Sequence, residues 1–366
     1  MRKVSLATII GSALLACIAL AQSPSGPNKV VRTAKVGGEG GFDYIYADAD
    51  GSKLYIPRSG QQAARITVFN LDTLAPLGDV PGINAHGVAT DTKSGHGFAS
   101  SNPVAMFDTK TLAPIKTIPV EGSPDGILGD PFNQRIYIFS HRAPNATVIN
   151  AVDGSIIGTI DLGGAPEQAA TDEKGHIYVD IEDKDSIAVV DAKTMAVTAH
   201  YDLAGKGGGP GGLALDAKNH ILFAACHDPA VMVILNANDG KIITTLPIEP
   251  NTDGAGFNPH TMEAYSSQGN GTLTVIRENS PTSFAVEQTV QTMQGARTMT
   301  VDTKNNRVLT MSFEYGPMPT AAPAPAAAPA PPQGAPGGSG RGGGRGRGPQ
   351  RPQIPDSFTI VAVGTK

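Results

Sequence analysis

Seven positions, each five residues ahead of an evenly recurring Asp or Asn, hold the side chains of this sequence best placed to do chemistry. They are Asp43, His86, Asp125, Glu167, Gly211, Asp253 and Arg297, and they precede Asp48, Asp91, Asp130, Asp172, Asp216, Asn258 and Asp302. All but Gly211 are charged or titratable. If one register of a repeat converges on one axis, these groups meet in a concave, scaffold-held place, which is where a ligand is bound. A crowd of carboxylates there would accept a cationic or polyhydroxylated ligand. His86, with His141 and His227 from neighbouring loops, could join the carboxylates in ligating a divalent metal ion. Carboxylates alone favour a hard cation, and imidazole shifts the choice toward zinc or another transition metal. A third chemistry is hydrolysis of the lactonase type, with Glu167 as base, His86 as acid and Arg297 as oxyanion partner. Against all three stands the ordinary role of Asp in Pro-Asp-Gly or Thr-Asp-Gly, a solvated turn former.

The elements that must carry these residues are set by the repeat. The Asp/Asn anchors follow one another at steps of 43, 39, 42, 44, 42 and 44 residues. Each anchor ends a short apolar run and leads through a turn such as Asp50-Gly51-Ser52-Lys53 into a second run such as Leu54-Tyr55-Ile56. A third run (Ile66-Thr67-Val68-Phe69) and a fourth (Ile156-Ile157-Gly158-Thr159-Ile160) complete the unit. Four short strands at this period are the signature of a β-propeller blade, so the fold class expected is all-β, a seven-bladed propeller with four antiparallel strands per blade. The last unit runs out of chain after Ser357 to Val363. The unassigned segment 29–36 supplies the missing strand, pairing antiparallel with 357–363 and removing two exposed sheet edges.

The same register separates the histidines. His96, His176, His220 and His260 fall at the turn from first to second strand, on the face opposite the mouth, and carry no functional weight. His86, His141 and His227 fall on the mouth face, with Arg58, Asn102, Arg142, Glu182, Asp183, Asp228, Gln268 and Glu314 in the adjoining loops. No His-x-x-x-His pair, EF-hand loop or Gly-x-Ser-x-Gly elbow accompanies them, and no residue is assigned as catalytic. Gly207 to Gly212 is glycine-rich but feeds a strand, which makes it an inter-blade loop and not a nucleotide cradle. Cys226 follows the apolar run Ile221 to Ala225 and belongs to the core.

The second strands Leu54-Tyr55-Ile56, Ile136-Tyr137-Ile138 and Ile177-Tyr178-Val179, the third strand Ile187-Ala188-Val189-Val190-Asp191 with Ala192-Lys193-Thr194, and the turn Ser123-Pro124-Asp125-Gly126 resemble the YVTN-repeat, YncE-like propellers. The resemblance covers residues 29 to 316 and 356 to 366. It departs where the Thr-Asn of the motif is replaced by Pro57-Arg58, Phe139-Ser140 and Asp180-Ile181. It implies a periplasmic or secreted propeller in a group mostly without assigned activity, some of whose members are suspected of binding nucleic acid or other ligands. The motif residues build blades and not a reaction centre.

Met1-Arg2-Lys3, the apolar run Val4 to Leu20 and Ala19-Leu20-Ala21 before Gln22 read as a Sec signal peptide, residues 1–21, cleaved after Ala21. A lipoprotein cysteine at Cys17 is the weaker reading, because the apolar run continues past it. After cleavage Cys226 is the sole cysteine, so an intrachain disulfide is excluded, and no membrane-spanning run remains. Residues 22–366 form one propeller domain, interrupted by 317–355, a Pro/Ala then Gly/Arg stretch without apolar periodicity that is expected to be disordered. The formal charge is −5. Loss of Arg2 and Lys3 and exclusion of the four arginines of 317–355 leave the propeller body near −11, which argues against nucleic-acid binding by the ring. Arg341, Arg345 and Arg347 could still touch nucleic acid or another polyanion. The partner expected at the mouth is a small ligand or an envelope protein, and the protein is expected to be a monomer.

Overall fold

The computed structural model describes residues 26–60, 63–143, 145–318 and 351–366. They form seven four-stranded antiparallel sheets arranged as the blades of a propeller. The innermost strands, which surround the axis, are Tyr46–Asp48, Val88–Asp91, Pro124–Asp130, Pro166–Thr171, Pro210–Asp216, Thr252–Asn258 and Met299–Asp302 for blades I to VII. A 3₁₀ turn at Glu182–Lys184 is the only helical element among the described residues, and no helix there is long and apolar enough to cross a membrane.

The repeating Asp or Asn is buried in every blade and closes the turn from first to second strand. Asp48 accepts the amide of Gly51 at 2.7 Å, Asp91 that of Ser94 at 2.8 Å and Asn258 that of His260 at 3.0 Å. A short side-chain acceptor at the start of a tight turn satisfies amides that the ladder cannot reach, which is why the period is written in Asp and Asn. The cores lie between blades. Tyr137, Phe139 and Val148 of blade III pack on Ile177, Val179 and Val190 of blade IV, and equivalent clusters fill the other gaps.

Ring closure follows the expected pairing. The strand Lys29–Lys35 is the outermost of blade VII and runs antiparallel to Thr359–Gly364, with Lys29 opposite Gly364 and Lys35 opposite Thr359. Blade VII therefore holds both ends of the described chain. Just ahead of this strand, Asn28 exchanges hydrogen bonds with Gln288 on the outer strand of blade VI (N to Oε1 3.0 Å, Nε2 to O 2.6 Å) and donates to Glu263 Oε1 at 3.0 Å.

Residues 1–21, expected as a signal peptide, and residues 319–350 of the insert, with Arg341, Arg345 and Arg347, lie outside the described residues. The stem of the insert is not free of structure, since Tyr315 bridges Gln353, Gly316 N donates to Pro352 O at 2.7 Å and Ile354 N to Glu314 O at 2.8 Å. Two residues expected in mouth loops are instead buried. Arg58 lies over the Phe358 ring at 3.6 Å and donates to Gly37 O and Glu39 O, with burial pulling its pKa down to about 10. Gln268 is fully enclosed within blade VI.

Candidate functional site at the channel mouth

Four mouth positions fall at β-bulges. In blade III Asp125 and Gly126 together face Phe139, in blade IV Glu167 and Gln168 face Asp180, and Gly211 and Asp253 are the extra residues of blades V and VI. An extra residue in one strand turns its side chain out of the pleat, here toward the axis. The amide that a bulge leaves unpaired must find an acceptor. Gln168 N donates to the Asp180 carboxyl at 2.6 Å, and near the same level Gly87 N donates to Ser100 Oγ and Ser123 N to Ser140 Oγ. Asp180 has no exposed surface, and burial raises its pKa well above the usual carboxyl value.

The six charged positions meet in one chain of contacts around the axis. Arg297 Nε lies 2.9 Å from Asp253 Oδ2 and Arg297 Nη2 3.5 Å from Asp43 Oδ1. His86 Nδ1 is 2.8 Å from Asp43 Oδ2 and 3.3 Å from Asp125 Oδ1. His141 Nε2 is 3.6 Å from Asp125 Oδ2 and 2.9 Å from Glu167 Oε1. The chain thus links blades VI, VII, I, II, III and IV. Blade V contributes no side chain at Gly211, and a Cβ placed there would lie 2.7 Å from His227 Nε2. The imidazole of His227 therefore takes the seventh place, reaching it from the loop after the second strand. All eight residues expected at the mouth are brought to it.

Burial and pairing divide the titrating groups. The hydrogen bond to Glu167 lifts His141 to about 9, and the bond to Asp43 raises His86. Burial pushes the Glu167 carboxyl up, but His141 and Tyr44 more than reverse it and hold it below the usual range. Burial raises Asp125, and it raises Asp253 to about 6 despite the Arg297 charge beside it.

Directly below the ring, two side chains bridge blades. Tyr44 of blade I donates its hydroxyl to Glu167 Oε2 of blade IV at 2.7 Å. Gln168 of blade IV accepts the amides of Leu213 and Ala255 at 3.0 and 3.1 Å and donates to Ala255 O at 3.3 Å. Glycines on the inner strands let the backbones of neighbouring blades approach closely at this level. A Cβ on Gly126 would stand 2.4 Å from Glu167 O, and one on Gly212 2.8 Å from Ala255 N. Beneath lies a cavity of about 350 Å³ lined by groups such as Tyr46, Ala89, Leu128, Ala169 and Leu215. The mouth is therefore a bowl with a polar floor.

Away from the mouth, the remaining candidates are structural. His96 Nδ1 bonds Ala151 O at 2.9 Å, His176 Nδ1 bonds Asp172 at 2.8 Å and His260 Nδ1 bonds Thr303 O at 3.1 Å. Cys226 is buried, and its thiol is pushed up to about 12 by burial, which removes its nucleophilicity.

No family model matches the chain, and no curated protein matches it in sequence. In fold it is similar to a chain in the crystal structure of the mitotic checkpoint complex, with a TM-score of 0.66 at 9% identity over 85% of this chain and 96% of that one. It is also similar to Kuenenia stuttgartiensis hydrazine synthase, with a TM-score of 0.64 at 13% identity over 76% of this chain and 94% of that one. At such identities the likeness is one of fold alone, and the seven-bladed propeller is what it shares with them.

Proposed function

We propose that the protein is a YVTN-repeat, YncE-like propeller, exported by its N-terminal signal and cleaved after Ala21, that binds a ligand at the charged mouth. The observation that carries this reading is the continuous chain from Asp253 through Arg297, Asp43, His86, Asp125 and His141 to Glu167. A ring scaffold gains nothing in packing from charges at its axis, since a carboxylate or guanidinium taken partly out of water costs free energy unless paired. Here they converge from six blades and stay half-open to solvent, on a face whose concavity is set by rigid sheets. Such a surface is suited to a cationic or polyhydroxylated ligand, or to the complementary patch of an envelope protein.

The lactonase-type reading is weaker. Glu167 is held by His141 and Tyr44 as a stabilised carboxylate, which makes it a poor base, and Arg297 is occupied with Asp253 and Asp43. Polyanion binding by Arg341, Arg345 and Arg347 has no support from the described residues.

Melting temperature against sugars, polyamines, lactones and short oligonucleotides, for wild type and for Asp125→Asn/Glu167→Gln, tests the proposal. A true ligand at a hundredfold excess over its Kd stabilises the wild type by about 2.7 kcal/mol. The double variant should lose that gain. If no compound stabilises the wild type more than the double variant, the mouth is a set of solvated turns.

A further inference from the structure

Asp125 stands apart from the other mouth carboxylates in having no donor of its own. Its Oδ1 is shielded from solvent and accepts no hydrogen bond. The single proton on His86 Nδ1 goes to Asp43 at 2.8 Å, leaving Asp125 at 3.3 Å. His141 Nε2 serves Glu167 at 2.9 Å, leaving Asp125 at 3.6 Å. Each oxygen of Asp125 thus faces a different imidazole, and beyond each imidazole lies another carboxylate. A carboxylate flanked in this way has the arrangement of a bridging metal ligand. Two triads result, Asp43–His86–Asp125 and Asp125–His141–Glu167, and within each the donor atoms lie within 4.8 Å of one another. Donors sharing an ion at about 2.1 Å stand at most about 4.2 Å apart, so small side-chain adjustments close either triad.

Building on the reading of the mouth as the binding surface, we infer that it is a two-ion site for divalent transition metals, with Asp125 bridging the ions. One ion takes Asp43, His86 and Asp125, and the other Asp125, His141 and Glu167. The donor set decides the class. Each ion receives one imidazole nitrogen and only two carboxylates, which suits Mn²⁺ or Zn²⁺ better than Ca²⁺, whose coordination calls for six to eight oxygens. Four carboxylates here face Arg297 and two imidazoles, and each imidazole must give up its proton to take an ion, so metal binding should strengthen as pH rises. The imidazoles and carboxylates also keep exposed surface toward the bowl, with side-chain exposures of 52% for His86 and 38% for His141. Each ion therefore retains open positions for water or for an oxygen-donor ligand, and paired ions about 3.5–4 Å apart would clamp such a ligand from both sides. Asp253 and Arg297 lie outside both triads.

The test uses the whole mature chain, stripped with a chelator and titrated with Mn²⁺, Zn²⁺ and Ca²⁺, with calorimetry and counting of metal retained on gel filtration. About two Mn²⁺ or Zn²⁺ ions per chain are expected, with Ca²⁺ at least roughly tenfold weaker. His86→Ala and His141→Ala should each keep one ion, and Asp125→Asn should weaken both by roughly tenfold or more. Unchanged circular dichroism and melting of the variants in chelator establish that they fold. Failure to bind either metal overturns the inference, as does an ion count indifferent to these substitutions, or a single ion lost on any of the three. If no metal binds but an organic ligand still stabilises the wild type over Asp125→Asn/Glu167→Gln, the binding mouth stands and only the metal pair falls. If neither binds, both fall.

Discussion

Lys35 stands opposite Thr359, so a residue near the start of the described chain and one near its end are neighbours in one sheet. Val31, Ala34 and Val36 pack there against the cluster that holds Phe358 and Ile360. A chain beginning at Gly40 should lose about 2–4 kcal/mol from these half-buried apolar groups alone. It should also expose the edge of Thr359–Gly364 and aggregate at lower temperature than a chain beginning at Gln22. Urea unfolding and light scattering on heating measure both. Equal midpoints for the two chains would show that closure does not hold the ring.

Asp180 is expected to act as an acceptor for the bulge in blade IV and not as a charge. Asp180→Ala strands the amide of Gln168 and should cost about 1–3 kcal/mol in equilibrium unfolding. Asp180→Asn keeps an oxygen at that place and should cost much less. Equal losses for both would mean that the carboxyl itself is needed.

Glu278, in the strand Thr272–Ser280, predicts a pH dependence remote from the mouth. It is buried, its Oε1 accepts Asn219 Nδ2 at 2.7 Å, its Oε2 has no partner, and it faces the carboxylate of Asp216. Burial first, and Asp216 with it, push its pKa from 4.5 up to about 7. A carboxyl raised on folding favours the fold while protonated, so its contribution is complete below 4.5 and is lost as pH rises through about 7. Glu278→Gln should flatten the melting temperature across that window and leave the variant more stable than wild type at pH 8. A variant that tracks the wild-type pH profile would place the titration elsewhere.

Removal of residues 319–350 should leave melting within a degree or two of wild type, because the stem from Glu314 to Ile354 is already joined by its own hydrogen bonds and loop length adds little closure entropy. Differential scanning calorimetry of the two chains decides it. A large loss would mean that the insert packs on the propeller.

The ring was legible in the sequence because the period carries it. An Asp or Asn at each first turn fixes the register, and the residue five before it falls at a bulge in blades III to VI, so counting alone found Asp125, Glu167 and Asp253. Tyr44 escaped, since a single aromatic after Asp43 has no counterpart in other blades. A signal was present nonetheless: the equivalent position is glycine at Gly87, Gly126, Gly212 and Gly254, so Tyr44 and Gln168 stand out as large side chains in a register otherwise kept small. The burial of Arg58 could not be read at all. Its partner, Phe358, is far away in sequence, and a charged residue at a strand end reads as solvated until the ring is closed.

The bond that joins blade I to blade IV beneath the mouth also bears on how anything can move through this molecule. Tyr44 ties itself to Glu167 across the axis, so a polymer, whether glycan or nucleic acid, meets that hydrogen bond before it can thread from one face to the other. Sliding along a strand, as a clamp does, would require the bond to part, whereas inserting an end or a side group at the mouth would not.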